Sequence, residues 1–170
     1  KMTVRRAPRV ESGSVKDTAG AADPAAARSV AVALLARRDF ASGELHARLT
    51  ARGFETLAAT AALAVLAAQG VLSDERYAHN YVAYHAGRGQ GPIRIAVELR
   101  ARGLAQPLIE TALASGPDWR ALACAARVRR FGKAAPASWK EKARQARFLQ
   151  YRGFSADHIR AATGTDPDTD

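Results

Sequence analysis

The sequence is poor in the residues that usually carry chemistry. It holds one cysteine, Cys124, and one methionine among 170 residues. A lone thiol excludes an internal disulfide and a cysteine-cluster metal site, and it fits a reducing cytosol. No apolar run approaches the ~20 residues that a membrane span requires. No continuous apolar segment lies within residues 1–27, so no secretory signal is visible there. The histidines His46, His79, His85 and His158 are scattered, and His79 and His85 are badly spaced for one helix face, so no metal site is expected. No Ser-His-Asp or Cys-His set stands out, nor any carboxylate pair at a repeating position. The chain therefore reads as a non-enzyme without a cofactor. Its glycine-rich stretch, AGRGQGPIR at 86–94, lacks the Gly-Lys-Ser/Thr ending of a phosphate-binding loop and follows no strand. It reads as a helix connector with Pro92 in the next first turn.

Acids are scarce too. Asp and Glu number 16 against 26 Lys and Arg, a net charge of +10. The excess is local. Residues 1–27 carry +2, 28–72 carry +2, 73–116 carry +1, 117–163 carry +8 and 164–170 carry −3. A uniform bias would follow from an arginine-rich genome. A charge of this size within 47 residues is an electrostatic patch, and it makes nucleic acid, or a partner that holds it, the first suspect.

What is present is a repeat. LTARGF at 49–54, LRARGL at 99–104 and LQYRGF at 149–154 lie fifty residues apart. Leu45 and Ile95 share an offset with Gln145, and Ile109 shares one with Ile159. Leu45 with Leu49, and Ile95 with Leu99, recur at i, i+4, one face of a helix. The glycine after each run suits a left-handed helix end, and the arginine before it suits the helix C-terminus. Ser42 and Ser155 are expected N-caps. Further helices are expected from Asp74 to about Ala86, after Ser73, and from Trp119 to about Arg130. Ser138 and Glu141 are spaced as a capping box. Strand signals are absent. The fold class is thus all-α, with three-helix modules over 25–72, 73–116 and 117–163 stacked into an elongated, curved array. Residues 1–24 and 164–170 are expected to be flexible tails, the second of them acidic.

Several segments carry a family resemblance in order and spacing. They are LLARRDFASGELHARLTARGF at 34–54, GVLSDERYAHNYV at 70–82, GPIRIAVELRARGL at 91–104, DW at 118–119 and KARQARFLQYRGFSADHIR at 142–160. Over about 28–163 the chain resembles the RecX family of bacterial recombinase regulators. That resemblance implies tandem three-helix repeats. It also implies binding to the RecA filament on single-stranded DNA, in the filament's helical groove, with limits on filament growth, ATP hydrolysis and strand exchange. It brings no catalytic residue and no cofactor. Residues 1–24 have no counterpart in the shared pattern.

The candidate contact residues are basic. Arg120, Arg127 and Arg130 are expected on one face of the helix from Trp119, away from an apolar stripe of Ala121, Cys124, Ala125, Val128 and Phe131. Lys140, Arg144 and Arg147 recur at i, i+4, i+7 on the next helix, with Lys133 in the loop between. Arg88 and Arg94 are added from the glycine-rich connector, because Arg94 and Arg144 share an offset. Such residues position a protein on phosphates without reading sequence. Phe131, Trp139, Phe148, Tyr151 and Phe154 are expected mainly in the core, although the offset partners of Phe148, Arg48 and Glu98, suggest a more exposed position for it. The expected protein is a cytoplasmic monomer, with no membrane partner, that binds single-stranded DNA weakly by itself and tightly when RecA coats it. The competing reading is an autonomous, sequence-nonspecific DNA-binding protein.

Overall fold

The apolar residues spaced at i, i+4 bury themselves as helices. The computed structural model describes residues 18–164, and every regular element among them is α-helical. The helices are α1 (Thr18–Ala21), α2 (Pro24–Leu35), α3 (Ser42–Ala51), α4 (Thr56–Ala68), α5 (Asp74–Gly87), α6 (Pro92–Ala101), α7 (Gln106–Ala114), α8 (Trp119–Phe131), α9 (Trp139–Arg152) and α10 (Ala156–Thr163). The fold is a tandem of three-helix units. In each unit the first and third helices pack together, as α2 with α4, α5 with α7 and α8 with α10.

The repeated Arg-Gly turn has one physical cause in all three units. Gly53, Gly103 and Gly153 have φ of 99°, 84° and 92°, a region that side chains resist. In each case the glycine N–H and the next N–H fold back onto helix carbonyls. Gly103 N–H donates to Arg100 at 2.9 Å and Leu104 N–H to Leu99 at 3.3 Å. Gly153 and Phe154 repeat this pattern on Gln150 and Leu149, and Gly53 and Phe54 on Thr50 and Leu49. This is a Schellman end, with its apolar contact between the residue after glycine and the repeat leucine. Arg102 adds a hydrogen bond to the Glu98 carbonyl at 2.8 Å, where a cation offsets the helix C-terminal partial charge.

Each unit has its own apolar cluster. Phe40, Leu45, Leu49, Leu63 and Leu66 fill the first. Tyr77, Val82, Ile95, Leu99 and Ile109 fill the second. The third is thinner, built on Ala123, Leu149, Phe154 and Ala162. Trp119 and Leu122 pack against both the second and third clusters. Ala41, from the first unit, is buried in the second unit's cluster.

Two backbone joints link the units. At the first, the Arg102-Gly103 turn lies on Gly43, where an added Cβ would stand 2.9 Å from the Arg102 carbonyl oxygen. At the second, Gly91 N–H donates to the Arg152 carbonyl at 2.8 Å and Ile93 N–H donates to Gly153 at 3.0 Å. The corresponding turn at Gly53 has no heavy atom within 4 Å of its Cβ position.

Local expectations fare unevenly. Ser73 and Ser155 cap α5 and α10, and His158 completes a capping box with Ser155. Ser42 is not a cap. Ala41 holds that position, and Ser42 donates through its N–H and hydroxyl to the Asp74 carboxylate at 2.7 and 2.5 Å. It thereby ties the first unit to the start of α5. Ser138 accepts from Glu141 N–H, but the Glu141 carboxylate reaches Ala137 N–H rather than Ser138. The expected N-terminal tail extended to residue 24. Residues 18–24 instead join the first unit, for Ala21 accepts from Glu55 N–H at 2.8 Å and Asp23 caps α2 through Ala25 N–H. Residues 1–17 and 165–170, the rest of the expected tails, lie outside the described residues.

Candidate interface of arginine and aromatic side chains

A groove runs between the second and third units. Arg88 and Gly89, just beyond α5, form one side. Ala126, Arg129 and Arg130 of α8, with Phe148 and Arg152 of α9, form the other. Ala86, Leu122 and Ala125 continue its floor. Arginines of the groove and of the adjoining helices lie against aromatic rings. The Arg88 guanidinium is 4.5 Å from the Tyr84 ring centroid and the Arg152 guanidinium 5.5 Å from that of Phe148. Arg144 and Arg130 are 5.2 and 6.0 Å from Phe131, and the Phe131 and Phe148 rings meet edge to face at 5.4 Å. Such contacts are favourable and hold a flexible cation in place.

The structure divides the sequence-predicted residues. Arg88 and Arg130 line the groove. Arg144 is exposed on α9 and lies over the Phe131 ring, outside the lining. Arg147 and Lys140 are exposed on α9, and Lys133 is exposed in the loop before it. Arg120 is exposed at the start of α8, on the side of His158, whose protonation it opposes. Arg94 is spoken for, with its Nε 3.0 Å from a Glu98 oxygen.

Arg127 is not on the surface. It is 7% exposed. Its guanidinium donates to the Ala134 carbonyl at 2.8 Å, to Gln145 Oε1 at 3.3 Å and to the Lys133 carbonyl at 3.4 Å. The expected stripe on α8 is also rotated. Ala123 and Arg127 are the buried residues, whereas Ala121 and Ala125 are exposed. The repeat held the signal: the offset partners of Arg127 are Ala27 and Tyr77, both buried. Gln145 likewise occupies the place of Leu45 and Ile95.

Sequence reasoning missed Arg129 and assigned Arg152 only to the helix end. Arg129 had no periodic partner to mark it. Of the aromatics, Phe154 is in the core, Phe148 lines the groove, and Trp139 and Tyr151 are 64% and 80% exposed. No group of three or more metal-ligating side chains occurs among the described residues, and no described helix is long and apolar enough to cross a membrane.

Beside the groove, burial and hydrogen bonds set several protonation states. Burial holds His85 and His158 below the ordinary histidine value of 6.5. Burial opposes ionisation of Glu98, but hydrogen bonds from Tyr81 (2.6 Å) and Arg94 outweigh it and leave the carboxyl below 4.5. All three depressed values act in one direction. As pH falls below 6.5, the unfolded chain takes up histidine protons that the folded chain resists. Below 4.5, the same holds for Glu98. Stability is expected to be full above pH 7 and to fall in two stages on acidification, which thermal unfolding from about pH 8 to 4 would read. A flat profile through the upper stage would contradict the histidine assignment.

Residues 73–113 match the second three-helix domain of RecX and residues 118–163 the third. The chain is 45% identical over 153 residues to the regulatory protein RecX of Halorhodospira halophila, covering 89% of this chain and 94% of that one. It is 43% identical to that of Pseudomonas savastanoi pv. phaseolicola, covering 80% and 88%. Among solved structures, RecX from Lactobacillus salivarius superposes with a TM-score of 0.72 at 19% identity, covering 82% of this chain and 94% of that chain. A crystal structure of regulatory protein RecX gives 0.71 at 19%, covering 94% and 80%.

Proposed function

This chain belongs to the RecX family, and on that premise we propose that it regulates a RecA-type recombinase by binding the recombinase filament on single-stranded DNA. It acts as a cytoplasmic monomer, mainly as an inhibitor in recombination and DNA repair. It limits filament growth, ATP hydrolysis and strand exchange. The observation that carries this reading is the tandem of modules with a charge of +8 concentrated over 117–163. A tandem can contact several protomers at once, so that modest contacts add to useful avidity. Bridged protomers lose the freedom that ATP turnover and subunit addition require.

The docking residues are Arg88, Arg130, Arg144, Arg147, Lys140 and Lys133, joined by Arg129 and Arg152. Arg120 is an outlying contact. Arg94 and Arg127 leave the set, since their guanidinium groups are engaged within the fold.

The test is the single-stranded-DNA-dependent ATPase of the cognate recombinase as this protein is titrated in. The expected result is a loss of rate well below one regulator per recombinase. A competitor for DNA would instead have to approach saturation of the lattice. An unchanged rate, with tight DNA binding by this chain alone, would favour the autonomous DNA-binding reading. That binder would show a log–log salt slope of about −0.9 per duplex phosphate contacted.

A further inference from the structure

The first unit carries an apolar face that the other two units lack. The 13 residues of α4 include no charged side chain. Leu57, Ala61, Ala64, Val65 and Ala68 are all exposed. Their spacing of three and four residues puts them on one side of the helix. Leu57 is the most prominent, at 81% exposed. Pro24, Ala25 and Arg28 of α2 form a shallow groove with Ala61, Ala62 and Val65 of α4. Val32, also exposed, lies one turn beyond Arg28. A single exposed leucine is ordinary, whereas a continuous apolar stripe on a surface marks a contact.

The repeat supplies an internal comparison. Fifty residues on from Leu57, Ala61, Val65 and Ala68 stand Pro107, Thr111, Ser115 and Asp118, and a hundred on from Leu57 stands Asp157. All five are exposed. The second and third units thus turn polar or charged groups to solvent where α4 turns apolar ones. The stripe is a property of the first unit and not of the fold.

The face defines the chemistry of its partner. The backbone of α4 is hydrogen-bonded within the helix, so an extended segment laid on it would bury its own N–H and C=O groups unpaired. A second helix arrives with those bonds made and lays an apolar stripe along the groove. Charge adds a second mark. Arg28, at the groove edge, forms no ion pair among the described residues, and Asp23 beside it is committed to the Ala25 N–H. The partner helix therefore brings a carboxylate. A second copy would set this arginine-edged face against itself, with no acid in the lining but the committed Asp23. We propose that α2 and α4 dock a recombinase helix of about three turns that carries an acid beside its apolar stripe. The inference rests on the regulatory reading and adds to it a contact with protein, separate from the basic third unit. A regulator held by phosphates alone would grip bare and coated strands alike. The apolar contact gives it a preference for the coated strand.

The experiment measures binding of the labelled full chain to the cognate recombinase filament on oligothymidine, and to bare oligothymidine, over about 50 to 200 mM salt. Leu57→Asp places an acid in the first turn of α4, where the helix dipole favours it, and circular dichroism checks that the variant is folded. It should lose at least about ten-fold in filament affinity, as a central interface side chain does. Its log–log salt slope for the filament should match that of the wild type, because no phosphate contact is removed. Its binding to bare oligothymidine should change by less than about two-fold. Val97→Asp makes the same charge change at an exposed position on α6 and should stay within about two-fold of the wild type on the filament. Arg28→Glu should lose about ten-fold in filament affinity, while Arg37→Glu, outside the groove, should lose less than about two-fold.

Equal losses in Leu57→Asp and Val97→Asp would overturn the site, since general charge would then explain them. A Leu57→Asp loss of equal size on filament and bare strand would also overturn it, by making the face a strand contact. A wild-type dimer in sedimentation velocity that Leu57→Asp dissociates would give the face to a second copy. A gain in filament affinity on Val4→Asp/Val10→Asp would give it to residues 1–17. Either result overturns the proposal. The recombinase ATPase separates this site from the reading beneath it. If the wild type binds the filament and slows the ATPase, and Leu57→Asp does both equally well, the site alone fails. If the wild type neither binds the filament nor slows the ATPase, the regulatory reading fails and takes the site with it.

Discussion

Gly91→Ala is expected to open the joint between the second and third units. A methyl group there would lie 2.4 Å from the Gly153 carbonyl carbon and oxygen and from the Phe154 nitrogen. All three are backbone atoms, so no rotamer change relieves the overlap. The residue itself is unstrained, with φ −87° and ψ 166°, a conformation that alanine adopts readily. The effect is therefore purely steric. Separating the surfaces also breaks the hydrogen bonds from Gly91 and Ile93. The expected loss is about 3 kcal/mol, or roughly 8 °C in the unfolding midpoint for a chain of this size. Amide exchange at Gly91 and Ile93 should accelerate. Gly53→Ala is the comparison. It meets no heavy atom within 4 Å and carries only the backbone penalty of a positive φ, about 1 kcal/mol. Equal midpoints for the two variants would refute the joint as a rigid contact. Because the groove spans this joint, Gly91→Ala should weaken partner binding without touching an arginine.

Arg127→Met carries the second large effect. The side chain keeps its apolar stem but loses the guanidinium that gathers the loop after α8. Three acceptors, the carbonyls of Lys133 and Ala134 and the Gln145 amide oxygen, would lose their donor in a largely buried place. Hydrogen bonds to a charged group, and the desolvation of acceptors left behind, put the loss at about 2–4 kcal/mol. The third unit should unfold at lower temperature, and the segment from Gly132 to Ser138 should become open to proteolysis. An unchanged midpoint with reduced partner affinity would return Arg127 to the surface set. Arg130→Ala separates the two roles, because an exposed groove residue should change affinity and leave the midpoint nearly unmoved.

The thin third core explains why a buried arginine is tolerated. The first two units place Leu45 and Ile95 where the third has Gln145. A polar side chain at that depth needs a partner, and Arg127 supplies it from the position held by Ala27 and Tyr77 in the other units. The arginine-rich run 127–130 thus serves two purposes. One residue fixes the fold, and Arg129 and Arg130 face the groove.

Features written along the chain itself need no tertiary structure to be read. Helix type and the left-handed glycine ends depend on neighbours within a few positions, the repeat of fifty residues and the location of the charge depend on linear order alone, and all were legible. The family segments were legible for the same reason, since their order lies along the chain. The direction of each arginine was not. A helical wheel orders residues around one axis but does not say which side meets the other helices. Arg127 and Arg130 therefore looked equivalent until α9 and the loop before it were placed against α8. Ser42 looked like a cap because its distance from Asp74 is set by two units packing together. The joint at Gly91 and Gly153 depended on tertiary structure most of all. Its signal is a missing Cβ on each side, which means nothing until the two backbones meet.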